Sequence, residues 1–140
     1  MFKGKNVQNS HVVYEFEGFI PLEISNKLWR SQVTKKCILT PYVGTIGNVG
    51  IHNKQGIYHL GSNVGKIEVF NNYSLNVMEE YIFYYLKSHT GYDQLTKFKK
   101  ATAQESISID AIRETLIPVY SIEIQKNIVN KIQTINQLLD

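Results

Sequence analysis

The hydrophobic period of the chain changes abruptly at about Asn76, and this change is the strongest constraint on the fold. Before it, short runs rich in Val, Ile, Tyr and Thr are separated by Gly, Pro and Asn, a pattern typical of strands and tight turns. After it, apolar residues recur at three- and four-residue intervals, as on one face of a helix. We therefore predict an α+β fold, with a small, twisted, mainly antiparallel sheet and flanking helices.

A glycine-punctuated hairpin is predicted at the centre of the first half. Residues 42–46 and 49–51 are β-rich, and Gly47-Asn48 between them supplies the positive φ that a tight hairpin connection requires. A strand at 37–40 is expected to end in a turn or bulge at Pro41, because proline cannot donate to a sheet ladder. The other elements predicted in this half are strands at 12–20, 57–60 and 64–70 and a short helix at 23–29.

Three helices are predicted in the second half. Asn76 is expected to cap the first, with Glu79 in the reciprocal capping position and Gly91 just beyond its end. A short helix at 109–114, a strand at 116–119 and a terminal helix from Ser121 onward complete the predicted elements. The terminal helix carries apolar residues spaced four, three and four apart, at Ile128, Ile132, Ile135 and Leu139. This is the seam of a two-helix coiled coil, and two heptads need a partner helix to be stable.

Composition excludes several classes of protein. The only cysteine, Cys37, permits no internal disulfide, and the four histidines lack the spacing of a structural zinc site. No apolar run approaches the roughly 20 residues that span a bilayer and no signal peptide is evident, so we expect a cytoplasmic protein. The net charge of +3 permits nucleic-acid binding without indicating it, but the stretch 87–104 holds four lysines against one aspartate.

No catalytic constellation is predicted. The spacing of Gly44, Gly47 and Gly50 matches neither a dinucleotide fingerprint nor a Walker motif, and a strand follows them where a phosphate loop needs a helix. The acidic residues are too dispersed for a magnesium-dependent nuclease, and no Asn-Pro-Pro-Tyr type of methyltransferase motif occurs. What remains is a binding function, in which three polar loops contact the bases and phosphates of nucleic acid. The loops are Asn48 with residues 52–55, residues 71–73, and residues 97–104. Solvated turns without a ligand are the alternative interpretation of these loops.

Four pieces of the sequence follow one another in an order that is hard to obtain by chance. They are Gly44-Thr45-Ile46-Gly47, Leu60-Gly61-Ser62-Asn63-Val64, Thr102-Ala103-Gln104 with Ile107-Ser108, and Pro118 with Gln125 and Ile128. Their order resembles the target-recognition domain of the DNA-specificity subunits of type I restriction-modification systems, and the similarity runs from about residue 19 to 137. Tyr120 stands where that family commonly has a second proline. By this resemblance, residues 1–120 look like part of one recognition domain and residues 121–140 like the start of a spacer helix used for dimerisation.

The resemblance implies a non-catalytic chain that recognises half of a bipartite site in double-stranded DNA. Modification and restriction subunits would be its partners, and the methyl donor and ATP would belong to them, so no cofactor is expected in this chain. Self-association through the seam of the terminal helix is also expected. Lys97, Lys99 and Lys100 are the candidates for phosphate contacts. The candidates for contacts to bases or backbone are Asn48, Asn53, Lys54, Gln55, Thr102 and Gln104.

Three alternatives stay open. A truncated specificity subunit would occupy modification subunits through protein contacts without reading DNA. The recognition part of a fused methyltransferase-nuclease would have a catalytic domain encoded upstream in frame. An unrelated small enzyme would have a closed pocket with converging titratable groups.

Overall fold

The computed structural model describes residues 1–72, 74–97 and 106–139, and these residues form an α+β fold, as predicted. The strands are β1 (Gln32–Val33), β2 (Cys37–Pro41), β3 (Gly50–His52), β4 (Tyr58–His59) and β5 (Val64–Ile67). The helices are α1 (Leu22–Lys27), α2 (Glu79–Lys87), α3 (His89–Thr96), α4 (Ile109–Arg113) and α5 (Ile122–Leu139), with 3₁₀ turns at Gly4–Asn6 and Trp29–Ser31.

Strand β2 is the centre of the molecule. It lies between β3 and β5 in an antiparallel three-stranded sheet, and all five of its residues are buried. Because side chains alternate across a strand, β2 contributes to two separate cores. Ile38 packs with α2 on one face, whereas Cys37 and Leu39 pack on the other face with Phe2, Val7, Val33 and Val64.

The second face is covered by the β1–β4 pair and by the N-terminal segment. The Phe2 N–H donates to the carbonyl of His59 at 2.7 Å, which aligns the segment beside β4. The side-chain amide of Asn6 donates to the carbonyls of Val13 and Glu15, both at 2.9 Å. The predicted strand at 12–20 is therefore wrong. The Asn6 side chain and one backbone hydrogen bond, from the Val13 N–H to the Asn6 carbonyl at 2.8 Å, hold this stretch, and Val12 forms only an isolated bridge with Val7.

Two predictions about the chain around β2 are wrong, one of a strand and one of a turn or bulge. The antiparallel partner of β3 is β2, and residues 42–46, predicted as a strand, belong to the connection between them. Pro41 ends β2 inside the sheet, paired with Val64, and not in a bulge. The Tyr42 N–H donates to the Asn63 carbonyl beside β5. Because backbone N–H groups alternate between the two sides of a strand, the Pro41 nitrogen faces the side of β3, and the pairing of β2 with β3 has already ended at Leu39.

Helix α2 begins and ends at other residues than predicted. Its N-cap is Met78 and not Asn76, and it ends at Lys87, where Ser88 caps a separate helix, α3. Gly91 lies inside α3, and a Cβ there would stand 1.9 Å from the Tyr85 carbonyl oxygen, so only glycine permits this close turn between the helices. The apolar face itself is as predicted, since Tyr81, Ile82 and Leu86 are buried.

The last part of the chain follows the prediction in its helices but not in its strand. Helices α4 and α5 lie where they were expected. Residues 116–119 form no strand, and the carbonyl of Pro118 instead accepts a hydrogen bond from the Tyr81 hydroxyl at 2.7 Å. Strand β5 likewise ends at Ile67, short of the predicted residue 70.

Gln125 fixes the first half of α5 to the domain. Its side chain is fully buried, its Oε1 accepts from the Met78 N–H at 3.0 Å, and its Nε2 donates to the carbonyls of Asn76 and Tyr120 at 2.9 and 2.8 Å. Val129 is buried one turn further along. The second half of α5 leaves the domain.

We expect Gln125→Leu to lower the free energy of unfolding by about 2–3 kcal/mol, because three backbone groups lose a hydrogen-bond partner that leucine cannot replace. The exposed Gln133 on the same helix is the matched control, and Gln133→Leu should change stability by less than about 0.5 kcal/mol. Urea denaturation measures both variants, and equal effects of the two substitutions would contradict the structural role of Gln125.

Candidate functional site

The register of the sheet puts the predicted polar loops at opposite ends of β2. Cys37 lies opposite His52, so the loop 53–57 and the segment 68–72 lie at the end where β2 begins. Asn48 precedes β3 and lies at the end where β2 stops, at Pro41. With a rise of about 3.3 Å per residue, the two ends are about 13 Å apart. The molecule therefore presents two polar surfaces, the Cys37 end and the Pro41 end.

The loop 53–57, here the β3–β4 loop, carries the polar side chains that are best placed for a ligand. Asn53, Lys54 and Gln55 are exposed and consecutive, and Gly56 turns the chain with a φ of 131°. The ammonium of Lys54 lies 4.0 Å from the centroid of the Tyr14 ring. Backbone N–H groups of Asn53 and Lys54 act against the rise that burial produces in the pKa of Tyr14. Lys54 thus contacts the domain through Tyr14, while the neighbouring Asn53 and Gln55 side chains are exposed.

An aromatic cluster supports this loop from below. Its five rings have centroids 4.9–6.4 Å apart and belong to Phe2, Tyr14, Phe16, His52 and Tyr58. Edge-to-face pairs dominate the cluster, and such pairs stabilise a core beyond their buried area. Sequence patterns did not indicate this cluster, because Tyr14 and Phe16 were interpreted as one face of a strand.

His52 is the polar member of the aromatic cluster. Its Nδ1 lies 3.0 Å from the Tyr14 hydroxyl, and its Nε2 has no hydrogen-bond partner among the described residues. We assign the proton to Nε2, since the rings of Phe2 and Tyr58 meet the imidazole edge to face and a ring can receive an N–H. Burial lowers the pKa of His52, which keeps the imidazole neutral beneath the loop.

Asn48 has a structural contact at the Pro41 end. Its Nδ2 donates to the Val7 carbonyl at 3.1 Å, and its own carbonyl accepts from the Thr40 hydroxyl at 3.0 Å. Asn48 therefore joins the N-terminal segment to the sheet, and the structure does not bring it together with Asn53.

The described residues on either side of the basic stretch 97–104 lie near the Pro41 end of the sheet. A Cβ on Gly47 would lie 2.2 Å from the Tyr92 ring, so α3 packs directly on the loop 42–49, and the exposed Lys97 follows α3. On the far side of the stretch, Ser106 bridges Val43. The other predicted residues of this stretch, Lys99, Lys100, Thr102 and Gln104, lie outside the described residues.

The segment 71–72 uses its side chains to shape the chain. The Asn72 Oδ1 accepts from the backbone N–H groups of Ser74 and Leu75, and the Asn71 Oδ1 accepts from Val77. These acceptors build the turn that leads into α2. Tyr73, the last residue of this predicted polar loop, is outside the described residues.

Most basic side chains outside these loops are paired with carboxylates. Lys36 contacts Glu80 at 2.5 Å, and hydrogen bonds from Lys3 and Lys5 lower the pKa of Glu17 to about 2. Further ion pairs join Lys27 to Glu23, Lys66 to Glu68 and Arg113 to Asp110. Lys54 has no carboxylate partner within the described part of the chain, so its charge is available to a phosphate.

The described residues offer little for catalysis. Burial raises the pKa of Cys37 to about 12, which removes its thiol as a nucleophile. Among residues 1–72, 74–97 and 106–139, no three His, Cys, Asp or Glu side chains are grouped to hold a metal ion. A groove of about 820 Å³ along β5 has a mainly apolar lining. No helix in the described ranges has both the length and the apolar character needed to cross a membrane.

Comparison with known families agrees with the resemblance in sequence. The family model of the type I restriction modification DNA specificity domain matches residues 3–140. The chain therefore belongs to the type I restriction-modification DNA specificity domain family, whose members act in DNA target recognition and are generally non-catalytic. A search of curated proteins returned no significant match.

We expect the folded state to lose stability as the pH falls below about 6.5. Burial lowers the pKa of both His52 and His59, the latter set between Ser25 and Ser31, so the unfolded chain binds protons first. Each histidine adds a slope of at most about 1.4 kcal/mol per pH unit, and the contribution is complete above the unfolded pKa.

Urea denaturation between pH 7.5 and 5 measures this slope. His52→Gln removes one titrating group and should reduce the slope relative to that of the wild type. A slope that is the same in the His52 variant and the wild type would show that His52 titrates normally in the folded protein.

Proposed function

We propose that this chain recognises one half of a bipartite DNA site as part of a type I specificity subunit, and that the β3–β4 loop contacts base edges. The match of the family model to residues 3–140 carries the first part of the proposal. The second part rests on Asn53, Lys54 and Gln55, three exposed consecutive side chains above a rigid aromatic cluster.

The chemistry of the loop suits readout in the major groove. Asn and Gln side chains pair with the edge of adenine through two hydrogen bonds, and lysine contacts guanine or a phosphate. Each good contact contributes about 1–3 kcal/mol of discrimination. The contact of Lys54 with the Tyr14 ring and the hydrogen bond from the Tyr58 hydroxyl to the Gln55 carbonyl restrain the loop, so less conformational entropy is lost when the loop binds.

The Pro41 end is proposed to hold the phosphate backbone. Lys97, Lys99 and Lys100 are the proposed phosphate contacts, and Thr102 and Gln104 are proposed to add hydrogen bonds to the DNA. The separation of about 13 Å between the two ends corresponds to about four base-pair steps of 3.4 Å. Both surfaces can therefore contact one half-site of ordinary length.

Helix α5 is proposed to join this domain to a partner helix. Ile128 packs on the core of its own domain and Ile132 is half-buried, whereas Ile135 and Leu139 are 56% and 80% exposed. The exposed end of the predicted seam is thus the part left for a second copy or another subunit. In this assembly, modification subunits supply the methyl donor and restriction subunits use ATP, whereas this chain binds neither. The assembly is proposed to act in the cytoplasm.

The pattern of adenine methylation in the cell tests the reading function. Deleting the gene should abolish methylation at one bipartite motif, and Asn53→Ala with Gln55→Ala should relax or change one half of that motif, because two base contacts are lost. Gln133→Ala on α5 is the control and should leave the motif intact. An unchanged pattern after deletion, with an active modification subunit present, would favour a truncated subunit that contacts proteins only.

The salt dependence of DNA binding tests the phosphate contacts. Lys54→Gln should reduce the slope of log K against log salt by about 0.9, and substitution of Lys97, Lys99 and Lys100 together should reduce it by about three times as much. Lys27, which pairs with Glu23 on α1, is the control. Any of these lysines whose replacement leaves the slope unchanged does not contact a phosphate.

A further inference from the structure

A groove of about 820 Å³ runs along β5, away from the β3–β4 loop. Its lining is mainly apolar and includes Tyr42, Ile67, Phe70, Ile109, Ile112 and Ile117. Phe70 is 80% exposed and Ile109 is 46% exposed, so large apolar surfaces face solvent here. We call this cavity the β5 groove.

The floor of the β5 groove is the unpaired edge of β5. In the sheet order β3-β2-β5, this strand pairs with β2 on one side only, and no other described strand pairs with its outer side. The Tyr42 N–H donates to the Asn63 carbonyl, so the backbone groups of residues 63, 65 and 67 face β2. The N–H and C=O groups of Val64, Lys66 and Glu68 therefore face the groove.

The two walls of the groove differ in chemistry. One wall is α4, and a Cβ on Gly65 would lie in ordinary contact with Ile112, at 3.7 Å. The other wall is formed by Arg30 and Ser31, on the face where the Lys66 ammonium donates to the Gln32 carbonyl. The first wall is apolar and the second is basic.

The charge of the groove is positive. Arg30, Lys66 and Arg113 line it, against the single carboxylate of Glu68. Lys66 is paired with Glu68 and Arg113 with Asp110, whereas the guanidinium of Arg30 lies over Trp29 with no carboxylate partner among the described residues. An occupant with a carboxylate near Arg30 would complement this charge.

We propose that the β5 groove binds an extended segment of a partner protein, which adds a strand to the free edge of β5. Alternate side chains of an added strand point to opposite faces, so every second one meets the apolar wall of α4 and the others meet Arg30. The segment that fits is therefore one in which apolar and acidic residues alternate. The apolar lining and the exposed backbone donors and acceptors favour a peptide over DNA. This inference is independent of the proposed DNA reading.

Amide hydrogen exchange of the full chain with a synthetic peptide tests the proposal. The probe is an acetylated and amidated peptide of six residues in which Val and Glu alternate, and the control is the same peptide with Lys in place of Glu. Binding of the Glu peptide should slow exchange at the amides of Val64, Lys66 and Glu68, since only these face the groove. Exchange at residues 65 and 67 should change little. Binding without this alternation would overturn strand addition.

Two variants decide whether the groove is the site. At Gly65 a Cβ would lie 3.7 Å from Ile112 and no closer than 3.8 Å to a backbone atom, so Gly65→Val adds a branched side chain beside Ile112 and should weaken binding of the Glu peptide at least tenfold. Gly18→Val, in open space, should not. Arg30→Glu should reverse the preference towards the Lys peptide, and this exposed substitution does not depend on how the groove repacks.

The remaining outcomes overturn the proposal. The groove is not a peptide site if the wild-type chain binds neither peptide, or if both variants bind the Glu peptide as the wild type does. Loss of DNA binding in Gly65→Val, together with no peptide binding in the wild type, would assign the groove to DNA. DNA reading through the β3–β4 loop is measured separately by the methylation pattern, so failure of one proposal leaves the other standing.

Discussion

The burial of β2 on both faces is the constraint on which the rest of the structure depends. A strand whose alternate residues enter two cores permits one register only, because a slip by one residue would exchange Ile38 and Leu39 between the cores. The polar Thr40 is tolerated at the centre because its hydroxyl donates to the Asn48 carbonyl. From this register follow the separation of the two loop ends, the free edge of β5 and the face on which α2 and α5 pack.

The helices and the fold class could be predicted from sequence because their signals are local. The apolar period that includes Tyr81, Ile82 and Leu86 depends on residues within one helix, and it was confirmed. The failures have tertiary causes. The Asn6 side chain bonds the carbonyls of residues 13 and 15 in place of a strand ladder. The Asn76 carbonyl accepts from the Gln125 side chain, and the helix predicted to begin at Asn76 begins later. The candidate site was predicted as a set of polar loops, but their division between two ends follows from strand register, which composition does not contain.

Two of the sequence pieces that resembled the family now have physical explanations. In Gly44-Thr45-Ile46-Gly47, both glycines have positive φ, 89° and 88°, and the second also gives room to the Tyr92 ring. In the last piece, Pro118 accepts from Tyr81 and Gln125 bonds three backbone groups. Both pieces therefore stabilise the frame of the domain. The residues proposed to read DNA lie elsewhere, on loops that the frame positions.

The bonded amide of Gln125 also has a mechanical consequence for the assembly. Leu139 lies ten residues beyond Val129, the last buried residue of α5, so the projecting part of α5 is a lever about 15 Å long. Rotating this lever by about 13° would move its tip by about 3.4 Å, which is close to one base-pair step of DNA. In the proposed assembly, a partner helix would bind at that tip, and the stiffness with which Gln125 and Val129 anchor α5 would limit how precisely the distance between two half-sites is held.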